Sequence, residues 1–327
     1  MTRINTWRAL SKNDIPAIVA LFNTANRVDA PARVINSDDI EKATATSNPA
    51  SNTRVGIGLD GEIVAFASVL EPAESPLALE VEAIGVVHPG QRGAGIGTDL
   101  VRWQESRARE LLQESPKDSA AQAQTRWLST VVQNSAHSSM DLLQSNGFVN
   151  KRTWLEMARD LSLPVPEAVL PSRIQVTTPE NHSEETWLAY NDSFRDHWGS
   201  RPDTWQEWLA REKRADYRPD LSFVAVGKNP AGKEEVAGLV ISRVNPNQFE
   251  ARGGSFVYIH LMGVRRNWRG LGIASGLLLH SMRAFAEAGF ERAELNVDSN
   301  SLTGAVSVYE KIGFREAHRH STFVKEL

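Results

Sequence analysis

The chain repeats itself, and the repeat limits what it can fold into. Arg92-Gly93-Ala94-Gly95-Ile96-Gly97 returns as Arg269-Gly270-Leu271-Gly272-Ile273-Ala274, each after an apolar run, Val81 to Val87 and Phe256 to Val264. Downstream, Asn134 precedes Leu143 by nine residues and Phe148 by fourteen, and Asn300 precedes Tyr309 and Phe314 by the same intervals. A duplication of this length is that of a whole domain, and half of 327 residues can bury its own core. From turn to asparagine the first half is eleven residues longer, and Gln113 to Gln124, rich in Ser, Ala, Gln and Pro, predicts a loop insertion there.

Pro164, Pro166 and Pro171 fall within eight residues, which prevents a regular helix and disfavours a central strand. The sequence therefore predicts a first domain over 1–160, a proline-rich linker over 161–172 and a second domain over 173–327. Each domain opens with a short strand (Thr6 to Leu10; Ile174 to Thr177) and an amphipathic helix (Ile15 to Ala25; Glu184 to Phe194). Strands follow at Arg54 to Leu59 and Ile63 to Leu70, and at Phe223 to Gly227 and Glu235 to Arg243. The predicted class is α/β, with two tandem domains.

Composition excludes several functions. With 41% hydrophobic and 23% charged residues and no apolar stretch of membrane-spanning length, the chain reads as globular, with no membrane partner. The absence of cysteine removes disulfides, thiolate metal sites and a cysteine nucleophile, and no metal is expected. The N-terminus lacks the apolar core of a secretory signal, so a cytoplasmic location is expected. A net charge of -4 gives no field that gathers phosphate backbones, so no nucleic-acid partner is expected.

A glycine-rich turn between strand and helix leaves backbone N–H groups pointing outward at the positive end of the helix dipole, where an anion such as a pyrophosphate binds. Glycine also admits positive φ and close approach of the backbone to phosphate oxygens. Neither half ends its turn in the Gly-Lys-Ser/Thr of a nucleotide P-loop, and neither has the three-glycine spacing of a dinucleotide fold. Alone, such a turn also suits a purely structural role.

Two motifs in order narrow the choice. Arg269, Gly272 and Ala274, and likewise Arg92, Gly95 and Gly97, fit Arg/Gln-X-X-Gly-X-Gly/Ala; Asn300 and then Tyr309-Glu310-Lys311-Ile312-Gly313-Phe314 follow. In both, the chain resembles the GCN5-related N-acetyltransferases (GNAT), and its tandem layout is similar to that of two-domain actinobacterial members. The resemblance implies, in each domain, a mixed, mostly antiparallel central sheet flanked by helices. It implies acetyl-coenzyme A as co-substrate, with Met262, Gly263 and Val264 on the pantetheine arm. Arg269, Gly270, Leu271, Gly272, Ile273, Ala274 and Ser275 would surround the pyrophosphate, and Asn300 would complete the site. In the first domain Val87, Arg92, Gly93, Gly95 and Gly97 are the matching residues.

Acetyl transfer to an amine needs a neutral nucleophile, stabilisation of an oxyanion and a proton for the departing thiolate. A tyrosine, of pKa about 10, is a competent acid for a thiolate whose thiol has pKa about 8.5, and the resemblance puts Tyr309 beside the sulfur. A backbone N–H freed where Phe256 to Val264 splays or bulges would hold the oxyanion. The family often carries a glutamate eleven residues before the motif arginine, where this chain has Tyr258; His260, on the same face by alternation and with a pKa nearer neutral, is the expected base. Asp298 could orient such a group or equally be a turn carboxylate before Asn300, and is assigned no role. Among the aromatics Phe194, Trp198, Trp205 and Trp208, the first two are expected at the acceptor, although helical spacing equally suits a core; the neighbouring Arg195-Asp196-His197 could face an acceptor but reads rather as a solvated helix end. Leu143 stands where Tyr309 stands in the second half, which predicts a first domain without chemistry. Glu82 is one residue off the base position and should face away if register is preserved.

The expected function is N-acetylation of a primary amine on a small molecule or peptide by a monomer or homodimer. A non-enzymatic acyl-CoA sensor is the alternative.

Overall fold

Strand and helix periods alternate along the chain in the computed structural model, which describes residues 4–30, 34–74, 77–114, 125–195, 197–301 and 304–327. Residues 115–124 of the expected insertion, and Asp196, lie outside the described residues. Two units form: Met1–Thr153 with Arg319–Leu327, and Trp154–His318.

The first unit runs β1 (Ile4–Arg8), α1 (Ile15–Asp29), α2 (Ser37–Ala43), α3 (Pro49–Asn52), β2 (Thr53–Gly58), β3 (Ile63–Val69), the short β4 (Ala73–Glu74), β5 (Ala78–Val87), α4 (Ile96–Glu114), β6 (Thr125–Gln133) and α5 (His137–Ser145). Its sheet order begins β1-β2-β3-β5-β6. All pairs in that order are antiparallel except β5–β6. On one face Ala65, Ala67, Val81 and Ala83 meet Ile96, Leu100 and Val101 of α4. On the other, Phe66 and Val86 meet Ile18, Leu21 and Ala25 of α1. Such strict alternation is what a sheet covered on both faces requires.

After β7 (Val149–Asp160), the second unit continues β8 (Ile174–Thr177), α6 (Ser183–Ser193), α7 (Trp205–Glu212), β9 (Phe223–Lys228), β10 (Glu234–Arg243), α8 (Phe249–Arg252), β11 (Phe256–Val264), α9 (Ile273–Glu287), β12 (Arg292–Asp298), α10 (Ala305–Lys311) and β13 (Arg315–Glu326). Its order is β7-β12-β11-β10-β9-β8, with β11–β12 parallel and the other pairs antiparallel. Helix α9 buries Ile273, Leu277, Leu278, Met282 and Phe285, spaced for one helical face, against Val257, Ile259 and Leu295. Tyr190 and Trp208 cover the opposite face with Val224, Leu239 and Leu261.

The unit boundaries depart from those expected. Each repeat ends in a strand that pairs within the other unit's sheet: β7 lies antiparallel to β12, from Asp298↔Trp154 to Arg292↔Asp160, and β13 to β6, from His320↔Gln133 to Glu326↔Trp127. Composition marks the prolines but carries no information on strand partners, so 154–160 join the second unit and 319–327 the first. The 161–172 segment packs along the second unit. Buried Arg159 donates through Nε to the Ile312 carbonyl (2.9 Å) and through Nη2 to that of Pro164 (2.8 Å), and Val165 and Leu170 touch the core.

Candidate active site

The site begins with β11, whose two edges behave differently. On the β10 side its ladder runs to Val264, but opposite Ile241 and Ser242 it skips one residue, so Leu261 and Ile259 pair and His260 is extra. That is a β-bulge, and it turns Leu261 toward α6 and α7 although Val257 and Ile259 face α9. On the other edge the parallel ladder with β12 ends at Ile259↔Leu295. Beyond it the strands part, leaving the backbone from His260 to Val264 outside that ladder. Met262, Gly263 and Val264 lie in this stretch. A Cβ on Gly263 would stand 2.7 Å from that of Ser193, so only glycine lets the end of α6 lie on the strand.

Next comes the turn. Gly270 and Gly272 adopt φ of 78° and 76°, in open space, so conformation rather than crowding requires glycine at both. Helix α9 starts at Ile273, buried as an anchor, and the first-turn N–H groups of Ile273, Ala274 and Ser275 have no intrahelical partner. Leu271 is exposed. The Arg269 guanidinium donates to the carbonyls of Val264 and Ser193, both at 3.2 Å, tying the turn to β11 and α6. Asn300 donates its backbone N–H to Asp298 Oδ1 (2.9 Å), so the Asp298 carboxylate holds this turn.

Tyr309, on α10, is buried against Phe314. Burial, and then nearby Tyr258, push its phenol well above the usual tyrosine value, so it stays protonated at any physiological pH. Tyr258 is pushed up to about 12, by burial first and then by Glu156.

His260 corrects an expectation. Its imidazole is pushed down to about 3 by burial and by Arg243, Arg211 and Arg214, which removes the near-neutral pKa that recommended it as base. Arg211 Nη1 donates to Nε2 (3.3 Å), and Arg211 Nε is held by Asp203 Oδ2 (2.6 Å). These arginines come from α7, β10 and the connection between them, which strand alternation cannot reveal. The unfolded imidazole takes up its proton at about 6.5 and the folded one only at about 3, so stability is intact above pH 6.5 and lost as pH falls toward 3. His260→Gln is expected to flatten that acid limb, whose slope reaches about 1.4 kcal/mol per pH unit. Parallel thermal melts of both proteins between pH 7 and 4 would refute this if the two limbs coincided.

Several neighbours escaped sequence reasoning. Trp154 and Glu156 alternate along β7 with Leu155 and Met157 of the α9-side core, a period-two signal lying beyond the motifs of the repeat. They share a sheet face with Asn296 and Asp298, their ladder partners on β12. Arg252 Nη1 pairs with Glu294 Oε2 (2.7 Å), and Arg252 Nη2 lies 3.5 Å from Glu156 Oε2. His197 stacks on Trp154 with centroids 5.6 Å apart, Trp198 meets that indole edge-on at 6.4 Å, and Phe194 packs on His197 at 5.4 Å. Phe194 and Trp198 thus join one aromatic wall; Trp208 is core, on Tyr190, and Trp205 packs on Trp187.

The first unit shares the splay without the bulge. Its β3–β5 register is regular, and the β5–β6 ladder ends at Glu82↔Ser129. Val81 and Ala83 face α4, so Glu82 faces the α1 side, as Tyr258 faces the α6 side; the bulge breaks the register on which the opposite expectation depended. Gly93 and Gly95 have φ of 77° and 83°. Arg92 is held by a carboxylate, Asp29, in a two-bond pair at 2.9 and 2.6 Å. Leu143 is buried, and beside it a cleft of about 590 Å³ opens where the strands part, lined among others by Val87, Arg92, Gly93, Gly95 and Gly97.

Among the described residues no helix is long and apolar enough to cross a membrane, and no cluster of His, Asp and Glu has metal-binding geometry. The profile of the acetyltransferase (GNAT) family matches the chain twice, over residues 18–148 and 184–314. A mycothiol acetyltransferase of Thermobispora bispora is 28% identical over 303 residues, 92% of each chain, and one of Parafrankia sp. is 27% identical over 348 residues, 99% of this chain and 98% of that one. The crystal structure of a GCN5-related N-acetyltransferase from Sphaerobacter thermophilus superposes with a TM-score of 0.76 at 26% identity, covering 98% of this chain and 95% of that one. A tandem GNAT protein from the clavulanic acid biosynthesis pathway shares the fold, with a TM-score of 0.66 at 15% identity over 98% of both chains. With both repeats matched and both carrying the parted strands and the glycine turn, the chain belongs to the GNAT acetyltransferase family, as a tandem enzyme rather than a non-catalytic sensor.

Proposed function

We propose that the second unit transfers the acetyl group of acetyl-coenzyme A to a primary amine of a small molecule. The observation that carries this reading is the coincidence on β11 of a bulge, a parted edge and a buried, protonated tyrosine nearby. The pantetheine amides pair with the free edge from Met262 to Val264, as a further strand would, and the pyrophosphate rests on the N–H groups from Gly270 to Ser275. Arg269 shapes the turn, and Asn300 closes the site.

An amide freed by the bulge lies on the side from which the thioester carbonyl is approached, and it holds the developing oxyanion. The amine enters from the face of Tyr258, Glu156 and Asp298, whose carboxylates suit a cationic amine and whose aromatic neighbours suit its body. Its nitrogen bonds to the acetyl carbon, the carbon–sulfur bond breaks, and the thiolate takes the Tyr309 proton. The amine loses one proton to solvent, from which Tyr309 regains the one it gave, so that neutral amine and thioester give amide and free thiol. His260 and Tyr258 orient the amine here; with an imidazole at about 3, His260 does not retain a proton. The curated relatives named mycothiol acetyltransferase make an amine related to mycothiol the first acceptor to try. The first unit, with Leu143 in place of the tyrosine, binds coenzyme A through Val87, Arg92, Gly93, Gly95 and Gly97 without chemistry.

Thiol release from acetyl-CoA across a panel of small amines tests the reading, with Gly272→Val as control. A β-branched residue at φ 76° is strained by about 1 to 2 kcal/mol and distorts the turn, so donor affinity is expected to fall about tenfold or more. Tight donor binding with no acceptor raising thiol release above hydrolysis would defeat the proposal. So would full donor affinity in a folded Gly272→Val protein.

A further inference from the structure

The cleft of the first unit reaches both faces of its sheet. One wall, on the α4–α5 side, contains Val101, Leu143 and Phe148. The same space continues through the gap between β5 and β6 to the α1 side, where Phe22, Ala25 and Ile35 line it with Ile84 and Val86. It is held open from within. Gln104, buried on α4, donates to the Ile84 carbonyl at 2.8 Å, bonding a backbone group at the parted strands to α4.

In the second unit the matching face carries Tyr258 and His260, with Arg211 and Arg243 beside the imidazole, polar groups that suit an amine. In the first unit the α1-side wall of Phe22, Ala25, Ile35, Ile84 and Val86 is apolar, which suits hydrocarbon. Glu82 also lines the cleft, and burial, with Glu80, pushes its carboxyl above the usual range.

We propose that the first unit binds a coenzyme A thioester whose acyl chain is longer than acetyl, the chain passing between β5 and β6 into the pocket of Phe22, Ala25, Ile35, Ile84 and Val86. This rests on the reading that the turn from Arg92 to Gly97 takes the coenzyme A pyrophosphate. Leu143 fits the role: no proton donor is needed where nothing is cleaved, and a leucine adds to the apolar wall. The second unit acetylates, while the first holds a different thioester.

Calorimetric titration of the full chain with coenzyme A, acetyl-CoA and octanoyl-CoA tests it. Octanoyl-CoA is expected to bind the first unit about 100-fold more tightly than acetyl-CoA, a fraction of what burial of its extra methylenes supplies. Ile84→Trp fills the chamber from a half-buried position and is expected to bring octanoyl-CoA back to the acetyl-CoA level without changing coenzyme A affinity. Phe22→Ala enlarges the chamber and is expected to move the preference to longer chains. Two sites per chain with no effect of chain length would overturn the inference and leave the coenzyme A reading intact. One site for every ligand, unaffected by Ile84→Trp, would remove both. Amine turnover that survives Tyr309→Phe and disappears with Glu82→Gln would assign the chamber to an acceptor instead.

Discussion

Tyr309→Phe is expected to lower kcat by about 10² to 10⁴ while acetyl-CoA affinity stays within about twofold of the parent. A proton donor acts in the transition state and contributes little to ground-state binding, so the loss falls on kcat. The phenol is raised far above neutrality by its surroundings, so its ionisation sets no alkaline limit on activity below about pH 10. If Tyr309 is only a wall of the pantetheine channel, removing one hydroxyl leaves kcat within a few-fold, and Tyr309→Ala weakens donor binding through the cavity it makes. Rates for both variants, with donor affinity measured separately, distinguish acid from wall. Parent-like kcat in Tyr309→Phe, under conditions where chemistry limits turnover, rules the acid out.

Ending the chain at His318 is expected to unfold the first unit while leaving the second with its ladders. The lost residues carry the whole β13 ladder with β6. Phe323, 1% exposed, packs beside Leu128 and Leu143; its loss alone is worth about 3 to 5 kcal/mol, a large part of a domain's stability of about 5 to 15 kcal/mol. With it go the ion pair of Lys325 Nζ with Glu105 (2.7 Å) and the hydrogen bond from Ser321 Oγ to Asn134 Oδ1 (2.8 Å). Amide exchange would report this as lost protection in β6 and α5, with β11 and α9 still protected. Parent-like protection in β6 would refute it. Phe323→Ala, a milder change, should move the first unit's melting alone.

What the sequence made legible was local. Gly270 and Gly272 are required by their own φ, and the interval from Asn300 to Tyr309 lies within one turn and one helix, so both could be read from neighbouring residues. The α/β class and the tandem layout followed from the duplication and agree with the family match. Strand partners were not legible, because β7 and β13 carry the same alternation whichever sheet receives them. The bulge at His260 was anticipated in kind but not in place. Its effect on facing, and the three arginines around the imidazole, depend on β10, α7 and the segment between them, each contributing residues far away in the chain. Trp154 and Glu156 lie on the last strand of the first repeat, beyond its motifs, where nothing in the sequence directs attention.

The exchanged final strands also set an order of events during synthesis. When α5 has emerged from the ribosome, the first sheet still has β6 at its edge with the ladder to β13 unmade, and the residues that make it, 319–327, are translated only after β12. The second sheet has β7 in hand as soon as β12 appears. The sheet begun first is therefore completed only after the β7–β12 ladder of the second can form, and until then the nascent chain exposes an open strand edge beside Leu128 and Leu143, the kind of surface that chaperones shield.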